Sequence, residues 1–177
     1  MTRFFYYVRK FLQELKFDSR RMSNIILRLF LFTFVEKQFV MKQVSYKNDI
    51  YPYNIRVLLG ADEEYIVKTF ANLEVEDQSW EGWTDDYGGR TIFVGNRTNH
   101  RKEICFLFHS LSNMDVRTIG HECLHGLSLY CKYLNINYSF EAGEDEHAAY
   151  LMGWLVDRVC DAYHKFKKEE EKDGKEE

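Results

Sequence analysis

Apolar residues recur along this chain with two different periods, and the change of period marks the elements. Phe4, Val8, Phe11, Leu12 and Leu15 fall at helical spacing, and Ser23 or Asn24 can cap a second helix through IILRLFLFTFV at 25–35. From Met41 the pattern becomes that of a mixed domain and opens with a strand region. YNIRVLLG at 53–60 follows the single proline, Pro52, and reads as a short strand closed by glycine. Asp62 opens a helix to about Leu73, with acidic residues in its first turn. Residues 74–89 contain Asp85-Asp86 and Gly88-Gly89 and read as loop and turn. Two further strands, 91–94 and 104–108, are joined by the turn-like GNRTNHRK. Asn113 or Asp115 caps a long helix to about Leu134. NINYSFEAG then leads to a last helix from about Glu144 to Lys167. These elements predict an α+β fold, a small sheet of about three strands packed on two long helices.

The same pattern divides the chain into an N-terminal helical extension at 1–40, a domain at 41–167 and a charged, disordered tail at 168–177. The extension is basic and aromatic. Its apolar run at 25–35 is interrupted by Arg28 and falls short of the roughly 20 residues that a membrane span needs. Glu36-Lys37-Gln38 follows it where a signal peptide would have small residues. It reads as a helix packed on the domain or as an upstream extension of it. An interfacial membrane helix is the third reading and the less favoured one.

Composition narrows the class. Of the 177 residues, 45% are apolar and 16% aromatic, which describes a folded globular chain with a core. The formal net charge of −4 argues against nucleic acid as the main partner. Cys105, Cys123, Cys131 and Cys160 form no CxxC pair, so they read as reduced, buried thiols of a cytoplasmic protein.

One stretch carries chemistry. Residues 118–129 read TIGHECLHGLSL. On a helix, Val116, Ile119, Cys123, Leu127, Tyr130 and Leu134 make an apolar stripe. At about 100° per residue, His121 and His125 stand about 40° apart, with Glu122 about 100° from His121. Imidazoles one turn apart can supply two ligands to a tetrahedral Zn²⁺, and the glutamate between them can take a proton from metal-bound water. The uncharged neighbours Ile119, Gly120, Cys123, Leu124 and Gly126 suit a packed shell around such ligands. Two histidines that merely meet backbone acceptors are the bland alternative.

TIGHECLHGLSL resembles the active-site helix of zincin metallopeptidases, and EHAAYLMGWL at 146–155 resembles the third-ligand segment of small gluzincin-like proteins. Among these are the ImmA/IrrE-type peptidases and short phage or prophage zincin proteins. The resemblance covers about 40 residues well and the preceding sheet only in its order of elements. It implies a zincin-like fold, Zn²⁺ held by His121, His125 and Glu146, and Glu122 as the catalytic base. Ser128 and Cys131 stand where a metzincin would have glycine and histidine, which argues against that subclass. Glu141 and Asp145 have the spacing of some gluzincin ligand and second-shell pairs, but Gly143 between them suggests a loop and ranks Glu141 below Glu146. His147 is a further ligand candidate, and Tyr150 is the best-placed candidate for oxyanion stabilisation, with a half-buried core tyrosine as its plainer reading. His109 ends the last strand.

The expected function is therefore that of a zinc-dependent hydrolase, foremost a peptidase acting on a protein or peptide substrate. The strand at 104–108 is expected to hold an extended peptide by strand addition. The expected compartment is the cytoplasm, that of a bacterial host cell if the chain is phage-encoded. The alternative is a non-catalytic, zinc-stabilised adaptor or host-interaction protein that retains the fold. Another metal-dependent hydrolase with a non-peptide substrate is a further rival.

Overall fold

The computed structural model describes residues 41–77, 80, 88–137 and 145–173. The expectations for residues 1–40 lie outside the described residues. The described elements are β1 (Lys42–Tyr46), β2 (Asn54–Leu59), α1 (Glu63–Thr69), β3 (Phe70–Asn72), β4 (Gly89–Asn96), β5 (Lys102–Phe108), a 3₁₀ turn (Leu111–Asn113), α2 (Val116–Leu134) and α3 (Glu146–Asp173). The architecture is α+β, but the sheet has five strands where about three were expected.

Strand order is β1-β2-β5-β4-β3. β2 and β5 are parallel, and every other pairing is antiparallel. The two parallel strands lie inside the sheet and are covered on both faces, so they read as nearly unbroken apolar runs. On one face Ile55, Val57, Leu59, Phe93, Ile104, Phe106 and Phe108 pack under α2 and α3. On the other, Leu58, Ile92, Val94, Cys105 and Leu107 pack with Ile66 of α1 and Phe70 of β3. Arg56 and Glu103 form a bidentate pair on that second face, at 2.7 and 3.1 Å.

The helix expected from Asp62 to Leu73 stops at Thr69. Asp62 does cap it, its side chain accepting from the Tyr65 N–H at 2.8 Å. Phe70 and Ala71 then turn extended, because pairing with Asn96 and Gly95 satisfies their backbone and buries both side chains. A seven-residue helix has too little intrinsic stability to resist that pull. At the other end, α3 runs to Asp173, six residues beyond the expected Lys167. Its closing KKEEEK is composed of good helix formers with opposite charges three apart, and Gly174 follows in the sequence.

Asp115 caps α2, its side chain accepting from the Thr118 N–H at 2.7 Å. Asn135 ends the helix in the left-handed region (φ 52°), where asparagine is one of the few tolerated residues. The last turns of α2 are tied to the sheet. Tyr133 stacks on Phe93 with ring centroids 4.0 Å apart, and its hydroxyl donates to the Leu73 carbonyl at 3.2 Å. The Tyr130 hydroxyl donates to the Tyr53 carbonyl. α3 presents Ala148, Leu151, Leu155, Val159, Ala162 and Phe166 to the same core. These ties fix the rotation of α2 about its axis, and hence which of its residues face outward. Among the described residues, no helix is long and apolar enough to cross a membrane.

Candidate metal centre

The middle of α2 separates its polar residues by direction. His121 and His125 lie on the exposed side, whereas Glu122 is buried, with 4% of its surface accessible. The two imidazoles converge. Their Nε2 atoms are 3.1 Å apart, and the ring planes meet at 77° with centroids 4.7 Å apart. Two nitrogens on one tetrahedral Zn²⁺, each about 2.05 Å from it, would stand about 3.3 Å apart. The pair therefore fits two positions of a zinc site with little adjustment.

Glu122 points the other way, toward β4. Its carboxylate Oε2 lies 2.7 Å from the Thr91 hydroxyl, and that hydroxyl is also 3.0 Å from the Glu122 backbone carbonyl. The approach is close because β4 has no side chain at Gly89. A Cβ there would stand 2.8 Å from Glu122 Cγ and 2.9 Å from Thr118 Cγ2. Sequence reasoning missed Thr91 and Gly89 as site residues. Gly88-Gly89 reads as a turn, and Gly-Arg-Thr-Ile-Phe at 89–93 has no apolar alternation, so no local signal marks the earlier start of the strand.

Glu146 is the first residue of α3 and is exposed. Leu155 packs at the level of Gly126, with its Cδ1 3.5 Å from where a Gly126 Cβ would be. Glu146 precedes Leu155 by nine residues, about 13 Å of helix rise. Its neighbour His147 lies edge-on to Tyr51, which in turn packs against Tyr130. Glu146 thus stands by the last turns of α2. Among the described residues, no group of three His, Cys, Asp or Glu side chains gathers around one point. The fold brings His121 and His125 together, turns Glu122 of the same helix toward β4, and leaves Glu146 apart from them. Glu141 and Glu144 lie outside the described residues.

The other candidates are placed as follows. Tyr150 is 77% exposed, and His109 is exposed just after β5. Cys131 faces the core. Burial raises the Cys131 thiol and pushes that of Cys123 to about 12, so neither offers a thiolate near neutral pH.

The expectation that 104–108 receives a peptide is corrected by the sheet. β5 is hydrogen-bonded to β2 on one side and β4 on the other, so its backbone groups are already used. The beginning of β4 is different. β3 pairs with β4 only from Val94 to Asn96. Phe93 turns its backbone away from β5, its carbonyl accepting from the Leu73 N–H at 3.0 Å and its N–H donating to Glu74 Oε1 at 2.7 Å. The two-residue period of a strand turns Thr91 and Gly89 the same way. Among the described residues, no strand pairs with them on that side.

No known protein-family profile matches the chain, and neither does any curated protein or solved structure with which it was compared.

Proposed function

We propose that the chain is a zinc-dependent hydrolase and that its substrate is a peptide. The observation that carries this is the convergence of the His121 and His125 Nε2 atoms at 3.1 Å on the open side of a helix whose intervening glutamate is buried and held. When bound, zinc polarises a scissile carbonyl and acidifies water. The protein's share is then to hold the metal, orient the base and align the substrate. His121 and His125 supply neutral imidazole nitrogens. Glu122 accepts the proton of the attacking water and can return it to the leaving amine. The zincin resemblance names Glu146 as the third ligand, ahead of Glu141; where α3 packs, Glu146 stands apart from the histidines, so the described ligand pair is His121 and His125, and zinc titration of carboxylate variants identifies the third. Substrate pairs as an extended strand with the side of Gly89 and Thr91 that no described strand occupies, next to the base.

A second reading, a zinc-stabilised adaptor without activity, is favoured by one observation: the Glu122 carboxylate already has a structural partner in Thr91. A purely structural zinc site needs no base at an open position. The two readings are separated by metal analysis of the purified full chain together with cleavage of a peptide library by the wild type, His121→Ala and Glu122→Gln. Hydrolysis that depends on zinc and both residues supports the peptidase. Equal rates in all three proteins, or a wild type without metal, would defeat it.

A further inference from the structure

We infer that Thr91 is the positioning residue of Glu122, fixing which carboxylate oxygen meets water; this rests on the proposed role of Glu122 as base. A carboxylate with only 4% of its residue surface accessible requires a hydrogen-bond donor. Among the described residues its donor is the Thr91 hydroxyl, across 31 positions of sequence. That hydroxyl has one hydrogen and two acceptors in reach, Oε2 at 2.7 Å and the Glu122 backbone carbonyl at 3.0 Å. The shorter contact, to the charged oxygen, is the stronger. Oε2 is thereby committed, while Oε1 has no hydrogen bond to a described residue and is the oxygen that takes the proton.

Steric confinement supports the same assignment. The missing Cβ of Gly89 lets the strand close over Glu122 Cγ, and Thr118 Cγ2 borders the same space. A glutamate free of such walls would sample several rotamers. Here β4 and the first turns of α2 hold it in one. When Oε1 is protonated, Oε2 still accepts from Thr91, so the latch persists through the proton transfer. Thr91, like Gly89, also turns its backbone to the side of β4 on which no described strand pairs with it. The strand that would align the substrate thus also sets the base.

The test uses the zinc-loaded full chain, with a quenched-fluorescent peptide chosen from a library as substrate. Thr91→Val removes the hydroxyl at nearly constant shape, and Thr91→Ser restores it. The expected result is a kcat loss of up to about 10²-fold in Thr91→Val. KM and zinc stoichiometry should be unchanged, and Thr91→Ser should recover to within a few-fold. Unchanged kcat in a folded Thr91→Val, or a Thr91→Ser as impaired as the valine variant, overturns the inference. A stability cycle of Thr91→Val, Glu122→Met and the double variant tests the latch without any substrate. A double variant no less stable than the worse single supports it, and strictly additive losses overturn it. If the wild type cleaves nothing while the cycle is coupled, the hydrolase reading fails and takes the positioning role with it, leaving only a structural latch.

Discussion

Phe106 occupies the space that a side chain at position 126 would need: a Cβ on Gly126 would stand 2.6 Å from Phe106 Cζ and 3.1 Å from Cε1. The glycine lets α2 lie directly on β5 and brings the histidine turn down to the sheet. Gly126→Ala should destabilise the protein by about 1–3 kcal/mol through overpacking, outweighing the roughly 1 kcal/mol that alanine gains in a helix interior. Gly120, six residues earlier, has nothing within 4 Å of its added Cβ. Gly120→Ala should therefore stabilise by about 0.5–1 kcal/mol. Urea denaturation of both variants checks the opposite signs.

Zinc titration tests the ligand set. His121→Ala and His125→Ala should each lose most of the affinity. Glu122→Gln should keep the bound metal and lose turnover by about 10²–10⁴-fold. For the third ligand, Glu146→Ala, Glu141→Ala and Glu144→Ala are titrated side by side. Loss in Glu146→Ala would mean that the start of α3 approaches the histidines when zinc binds; loss in either of the others with Glu146→Ala unaffected would build the site around that residue.

The Arg56–Glu103 pair predicts a stability asymmetry. Glu103 is 1% exposed, and its hydrogen bond holds the Arg56 guanidinium above its ordinary pKa. Glu103→Ala leaves a largely buried cation without its partner and should cost about 3–5 kcal/mol. Replacing both by methionine should cost much less, since no charge is then stranded. Chemical denaturation of the two proteins decides this.

Stability should also respond to acid through Asp161. Its carboxylate accepts from Lys165 Nζ at 2.8 Å and from the Tyr46 hydroxyl at 2.7 Å, joining α3 to β1. These bonds, Lys165 first, hold its carboxyl below the usual aspartate range. A group with a lower pKa when folded binds fewer protons in the folded state. Its contribution is therefore complete above the ordinary aspartate value of about 4 and fades as pH falls through the folded value. Asp161→Asn should lower the melting temperature modestly at pH 7, because the carboxylate is half-exposed. The gap should close toward pH 2, and a gap independent of pH would refute the linkage.

Local rules made much of α2 legible. Asp115 as cap, the apolar stripe and the one-turn spacing of His121 and His125 follow from helical geometry and nearby residues alone. β2 and β5 were visible as apolar runs, and the start of α3 came within two residues of the expected Glu144. What the pattern could not supply was long-range pairing. Phe70–Asn72 left the helix because β4 needed a partner, and β5 became an interior strand because β2 lies beside it in parallel. The direction of Glu122 depends on Thr91 and Gly89, which no helical periodicity relates to α2. The distance of Glu146 from the histidines depends on the level at which α3 packs, fixed by Leu155 against Gly126. Periodicity specifies which residues share a face, because that is set within a few residues of chain. Which surface meets that face is decided by burial and pairing among segments far apart in sequence, and so by the tertiary structure alone.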